Sequence, residues 1–294
     1  MIIKKQHIRN LLLSSVLLSV AVLQGFSQGT DISGRKFPMF YVGFNLIPVQ
    51  TQLINEGDFS STGFTTEKTI SFSGGIETGC LFSNFFGISL GAGYGSYSSN
   101  HLLESYEFNY TTTDSENDSY ERRITGTDIS ENQNVSFLNI PVTLNFSIPF
   151  NRNKMGFFVH TGVNFMLPMT NTFASSGTFT YKGYYPAYNV LLEDLPAYGF
   201  GTNIKNETAG DLVMKSINLN FLVSGGFEMF VSKKIQLAAG ILYTASLSDI
   251  SDYEKNDTFI LSEDANRMAS FMEGSTRVSS RGLGAILSLN IFLK

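Results

Sequence analysis

The sequence predicts an all-β fold, a transmembrane antiparallel up-and-down β-barrel of eight strands, with ten as the alternative count, behind an N-terminal signal peptide. Three observations predict it. Segments of about ten residues alternate apolar and polar side chains, the period of a strand whose two faces meet different surroundings. Tight turns alternate with long polar joins. The first 27 residues read as an export signal.

The signal has a basic start at Lys4, Lys5 and Arg9, then an apolar run from Leu11 to Leu23. That run is too short to span a bilayer as a helix. Gly25 and Ser27 supply small residues before a cut ahead of Gln28. Residues 28–294 are then expected to form one barrel domain. Removing Lys4, Lys5 and Arg9, which no acidic residue offsets, makes the formal charge of −5 more negative. An acidic chain argues against nucleic acid as a partner. Cys80 is the one cysteine, so no intrachain disulfide can form.

The predicted strands are 40–48, 69–82, 86–97, 135–148, 156–167, 215–230, 235–246 and 281–293. The clearest is the fourth: Leu138, Ile140, Val142, Leu144, Phe146 and Ile148 share one face, and Asn139, Pro141, Thr143, Asn145 and Ser147 the other. The polar faces are rich in glycine, serine and asparagine. A soluble sandwich would place its long charged side chains there. Large uncharged apolar faces need no further cover if they meet lipid, and the small polar faces then line a narrow lumen.

The connections set an orientation. Ser83-Asn84-Phe85, the stretch around Asn151 to Lys154 and the stretch around Ser232 to Lys234 are short. The joins 49–68, 98–134, 168–214 and 247–280 are long, acidic and expected as external loops, with both termini on the periplasmic side. Within 98–134, Tyr106, Phe108 and Tyr110 alternate with polar residues, which predicts a hairpin continuing strands three and four. The tyrosine-rich join 168–214 can hold another short hairpin. Phenylalanine and tyrosine cluster at strand ends, as two interfacial girdles would require; the same residues also favour any strand.

Ser73-Gly74-Gly75-Ile76-Glu77 echoes Ser224-Gly225-Gly226-Phe227-Glu228. Either a common strand solution was reached twice, or a duplication or shared lumen role is at work. Parity turns Glu77, Glu228 and His160 into the lumen. The two carboxylates are expected to bond polar wall residues, with a proton or cation path as the alternative. His160 is expected as a hydrogen-bonded wall residue. His101 lies near the outer rim close to Ser98, Ser99 and Glu104, which is too little for a hydrolase. No metal-ligand spacing, phosphate loop or cofactor motif is present.

The chain resembles the Bacteroidetes outer-membrane β-barrel family, the porin-like or PorT-like group. The resemblance rests on Ser27-Gln28, on the glycine-bearing strands and on Phe137-Leu138-Asn139-Ile140-Pro141-Val142, where Val142 replaces the usual leucine. The C-terminal Asn290-Ile291-Phe292-Leu293-Lys294 is similar to an assembly signal but ends in lysine. The resemblance implies the bacterial outer membrane, contact with its lipid, no enzymatic activity, and for some members a role as accessory subunit to another envelope protein. A narrow channel is the alternative, and a surface enzyme the third reading.

Overall fold

The computed structural model describes residues 36–57, 63–255 and 259–293. The expected export signal at 1–27 and the final Lys294 lie outside the described residues. Among the described residues, one antiparallel sheet contains ten strands: β1 (Met39–Glu56), β2 (Phe64–Leu81), β3 (Phe86–Thr113), β4 (Ser119–Phe150), β5 (Met155–Tyr185), β6 (Val190–Leu192), β7 (Gly201–Asp211), β8 (Asn218–Phe230), β9 (Ile235–Ser246) and β10 (Arg277–Phe292). Eight close a ring in the order β1, β2, β3, β4, β5, β8, β9, β10 and back to β1. The other two, β6 and β7, pair with β5 beyond the point where β8 leaves it. Eight is therefore the count of the ring and ten the count of the sheet.

The lower part of the ring has the faces that the alternation predicts. Ile70 and Ile148 are 71% and 70% exposed, and Phe44, Leu144, Phe157, Ile241 and Leu287 also point outward. Tyr41, Ser89, Thr143, Asn145, Glu228, Gln236 and Asn290 are buried inside. Small residues make the wall close. Gly91 faces the Pro141 ring, whose Cγ is 3.0 Å from where a Gly91 Cβ would stand. Proline has no N–H to give to the ladder, and a glycine opposite leaves room for its ring.

The strands are far longer than a membrane needs. β4 has 32 residues, roughly 105 Å of strand at about 3.3 Å per residue. A bilayer takes only about 9–11. The joins 49–68, 98–134 and 168–214, expected as loops, are therefore largely strand, and the predicted continuation of strands three and four is the β3–β4 hairpin. Beyond the membrane the polarity of the wall inverts. Leu103, Tyr106, Ile124, Ile129, Phe179 and Tyr181 now pack inside, because water instead of lipid surrounds the sheet. The change of phase is helped by an irregularity at Asp128 (φ 52°), where the β4–β5 register shifts between Thr127 and Ser130. On one side of it Ile129, Glu131, Gln133 and Val135 face inward, and on the other Arg122 and Ile124 do.

The last long join is also not an external loop. Between β9 and β10 the chain turns into the mouth of the barrel. Ile250, Leu261, Ser262, Met268, Ser270, Phe271 and Met272 are all at 0–1% exposure. They pack on the wall residues Leu53, Tyr97, Val135, Phe137 and Met166 below and on the Leu103 cluster above. The sequence pattern hid this plug because its apolar residues follow no strand period.

The two halves of the ring echo each other. The β2–β3 and β8–β9 turns have the same bonds: Phe82 N–H donates to Phe86 O (3.0 Å) and Val231 N–H to Ile235 O (2.9 Å). Ser83 Oγ accepts from Phe86 N–H, and Ser232 Oγ from Ile235 N–H. Glu77 stands between Gly43 and Gly91, and Glu228 between Gly156 and Ala238. The echo in sequence is thus an echo of whole hairpins, placed four strands apart around the ring.

Leu144→Arg, mid-strand on the outward face, should destabilise the barrel by about 2–4 kcal/mol. Denaturant titration in detergent, read by heat-modifiable gel migration, measures this; an unchanged midpoint would mean that the face does not meet lipid.

Candidate functional site in the lumen and outer mouth

The inward residues of β8, β9 and β10 run through three layers. Nearest the short turns is a polar layer. Glu228 accepts from Ser147 Oγ and from Gln236 Nε2 (2.9 Å), and Gln236 Oε1 accepts from Asn290 Nδ2 (3.0 Å). Asn145 Nδ2 donates to Tyr41 Oη (3.0 Å) and its Oδ1 accepts from Thr143 (2.8 Å). Glu77 bonds Asn45 and Tyr41. The open space among these side chains is about 40 Å³, enough for a few water molecules.

Above it stands an apolar layer that the alternation did not predict. Ile47, Phe158, Leu222, Ala238, Leu242 and Ile286 pack together inside the ring. The His160 ring lies 4.6 Å from Phe158 at the edge of this layer. Farther out is a second polar layer. Tyr97 Oη meets Thr244 Oγ1 at 3.0 Å, and Asn220 Nδ2 donates to Tyr97 Oη and to Ser280 Oγ. An eight-stranded wall is just wide enough to be filled by side chains, as it is here.

The outer mouth holds the most heavily bonded carboxylate. Glu131, on β4, is fully buried. It accepts from Gln133 Nε2 (2.6 Å), Ser175 Oγ (2.7 Å), Ser270 Oγ (2.7 Å) and the Phe271 N–H (3.1 and 3.2 Å). Two of these donors belong to the plug, so the carboxyl ties the plug to the wall. Burial pushes the acid above its usual range, and the donors oppose that rise. Gln133 Oε1 also meets His101 Nε2 at 3.2 Å, and Thr66 Oγ1 meets His101 Nδ1 at 3.0 Å. Since Gln133 Nε2 is committed to Glu131, its carbonyl accepts from His101, which places the proton on Nε2, makes Nδ1 the acceptor from Thr66 and leaves Asn55 Nδ2, 3.4 Å from Nε2, with no acceptor there. Burial holds the His101 imidazole down to about 4.

At the far end the plug is clamped again. Arg122 Nη2 donates to the carbonyls of Gly199 (3.2 Å) and Glu263 (3.0 Å), and its guanidinium lies over the Tyr181 and Phe200 rings. Beyond this clamp Tyr188, Val190, Leu191, Leu195 and Tyr198 are exposed. They sit about 20 residues of strand past the membrane band, where lipid does not account for them.

Of the sequence-predicted residues, Glu77, Glu228 and His160 all belong to the lower part of the lumen. Tyr41 and Gln236 join the carboxylates; their alternation marked them as inward but not as partners. His101 does not stand at the rim. It is fully buried, stacked on Phe64 at 5.7 Å, and Glu104 points outward. Glu131 was hidden by its place in a join expected as a loop, and only continuing the period of two from Val135 back through Gln133 would have turned it inward.

The model of the outer membrane protein β-barrel domain family matches residues 26–252. The chain belongs to this family. Its members define a bacterial outer-membrane barrel. Among solved structures, the chain is similar to OprG from Pseudomonas aeruginosa (12% identity, 90% of this chain and 99% of that one, TM-score 0.38). It is also similar to neisserial surface protein A (11%, 85% and 96%, TM-score 0.32) and to Ail from Yersinia pestis (8%, 85% and 98%, TM-score 0.29). No curated protein matches.

Two outcomes follow for the outer mouth. Glu131→Ala leaves four donor groups without an acceptor and should cost about 2–4 kcal/mol. Hydrogen exchange should speed up across residues 261–276 and stay unchanged in β8 and β9. For His101, the folded state binds fewer protons than the unfolded chain between an ordinary histidine pKa of about 6.5 and the folded value. Its contribution of about 3 kcal/mol is complete above that range and falls as pH drops through it. Glu131 acts with the opposite sign, so His101→Gln should make the part of the barrel beyond the membrane more acid-resistant than the wild type by the same measurement.

Proposed function

We propose that this protein is a non-enzymatic outer-membrane scaffold: a closed barrel that carries a rigid tower and offers its tip to another envelope protein. The export signal at 1–27 is removed on this reading, and both termini face the periplasm, on the side of the short turns. The PorT-like resemblance points the same way, toward an accessory subunit of an envelope complex. One observation carries the proposal. The interior is closed by the apolar layer around Phe158 and Leu242 and again by the plug around Phe271 and Met272, while the tip exposes Tyr188, Leu191 and Tyr198.

The tip also indicates the chemistry of its partner. Asp114, Glu116, Asp118, Glu193 and Asp194 surround the exposed apolar side chains, and Lys182 is engaged by Glu193 at 2.6 Å. A protein surface with an aliphatic or aromatic contact rimmed by lysine or arginine is complementary to it.

Two measurements test the proposal. The purified barrel in a planar bilayer should give no steady single-channel conductance; a reproducible step would favour the narrow channel. A partner should co-purify with the wild type from gently solubilised outer membrane and be lost with Tyr188→Asp/Leu191→Asp, while heat-modifiable migration stays unchanged. An empty wild-type pull-down would remove the accessory role.

A further inference from the structure

The polar layer at the short-turn end contains a chain of hydrogen bonds with a fault. Glu228 accepts from Gln236 Nε2, and Gln236 Oε1 accepts from Asn290 Nδ2. Asn290 has then used its donor on that side. Its Oδ1 is buried, with the residue at 5% exposure, and meets no donor. That oxygen and Glu77 share the space beside Gly43: they lie 2.4 Å (Asn290 Oδ1) and 3.0 Å (Glu77 Oε1) from the point where a Gly43 Cβ would stand. The two acceptors are therefore neighbours, and no donor stands on Asn290 Oδ1.

The fault is one of counting, not of side-chain placement. Two amides in series between two carboxylates each pass one donor along. Pointed the same way they leave one carbonyl facing a carboxylate, and pointed at opposite carboxylates they leave their two carbonyls facing each other, so one contact always lacks a donor. Turning both Asn290 and Gln236 would pair Asn290 with Glu77 and set the Gln236 carbonyl against Glu228. Glu77 itself receives hydrogen bonds from two neutral neighbours, Asn45 and Tyr41, and among the described residues no lysine or arginine pairs with it. A carboxylate taken out of water needs compensation of its charge as well as its lone pairs. Gly43 and Gly91 flank it on both neighbouring strands, and the space a Gly43 Cβ would take is occupied by the Glu77 and Asn290 side chains themselves.

We propose that the Glu77–Asn290 gap takes up one small monovalent cation, either an alkali-metal ion or a proton, that both oxygens can share. The charge enters from the periplasmic end, because Asn290 lines the small cavity that also touches Asn84 and Asn153 of the short turns. It does not pass onward, because the apolar layer of Phe158, Leu242 and Ile286 lies above. This is a bound, structural charge, independent of what the outer tip binds. The titratable groups on the elements around Glu77 are Tyr41 on β1, His160 on β5 and Glu228 on β8; the inward residues of β3, β4, β9 and β10 at this level are uncharged.

The test uses the folded barrel in detergent, with the midpoint of heat modification as readout. Sodium or potassium is compared with choline at equal ionic strength and pH, and the choline sample is followed from neutral to mildly acidic pH. A higher midpoint in alkali salt identifies an alkali ion. A midpoint in choline that rises on acidification identifies a proton. In either case Glu77→Gln should abolish the alkali-salt effect or the rise on acidification, leaving only the pH dependence that His101 and Glu131 give both proteins, and should raise the midpoint in choline, since its new amide donates to Asn290 Oδ1. If that variant fails to fold, the 13C signal of the wild-type Glu77 carboxyl should move in the same titrations. A midpoint with no alkali-salt effect and no rise on acidification, together with a Glu77 signal indifferent to both, would overturn the proposal and leave a bridging water as the answer, and so would a salt effect or acid rise of equal size in Glu77→Gln.

Discussion

In a bilayer no water is at hand to pair a backbone N–H or C=O, so a sheet can cross only if it has no edge. The pairing of β1 with β10 meets this constraint, and most of the rest follows from it. Once the ring is closed with eight strands, its inward side chains must fit a narrow space, which accounts for the glycines opposite Glu77, Glu228 and Pro141. Each outward side chain meets lipid, which accounts for the leucine, isoleucine and phenylalanine on that face. Closure also fixes which ends carry short turns, and so which end can grow.

Above the membrane the same strands obey the opposite solvent rule. Water now covers the outer face, and the apolar residues move inside. The wall alone cannot fill the space it encloses there, because β8 has left the ring and β6 and β7 only partly replace it along β5. The chain between β9 and β10 supplies the missing core. Its apolar residues Leu261, Met268, Phe271 and Met272 complete both clusters, and Glu131 and Arg122 hold it by hydrogen bonds to its backbone and to Ser270. The plug is therefore part of the fold of the tower, and its removal would expose the inner faces of β3, β4 and β5 together.

How much was legible in the sequence follows from where a strict period governs. In the membrane band each residue faces either lipid or lumen, so alternation marks Leu144 and Asn145 without ambiguity, and the eight ring strands, the order of short and long joins and the lumen placing of Glu77, Glu228 and His160 could all be read. The apolar lumen layer was not legible, because Phe158, Leu222 and Ile286 sit on a face whose neighbours are glycine, serine and asparagine. The tower was legible only in part. Tyr106, Phe108 and Tyr110 announced the β3–β4 hairpin, but the slip at Asp128 breaks the phase, and a reader who stops at the break counts the remainder as loop. The plug has no period, so its burial depends wholly on tertiary contacts.

The two buried carboxyl systems show why position alone does not define a site. In the outer mouth the donors run one way, from Thr66 through His101 and Gln133 to Glu131, and the chain ends on the group that can only accept. Each link of that chain is made, although Asn55 Oδ1 beside His101 meets no donor, and the result is a latch. In the lumen a chain of two amides lies between two carboxyls, so direction is satisfied at one end and violated at the other. The residue types are similar in both places; Glu131 and Glu228 are buried and Glu77 is half-buried. The difference lies in the ends: a chain that starts on a donor and stops on one carboxyl has a donor for every link, whereas a chain between two carboxyls is always one donor short and calls for a charge from outside the protein.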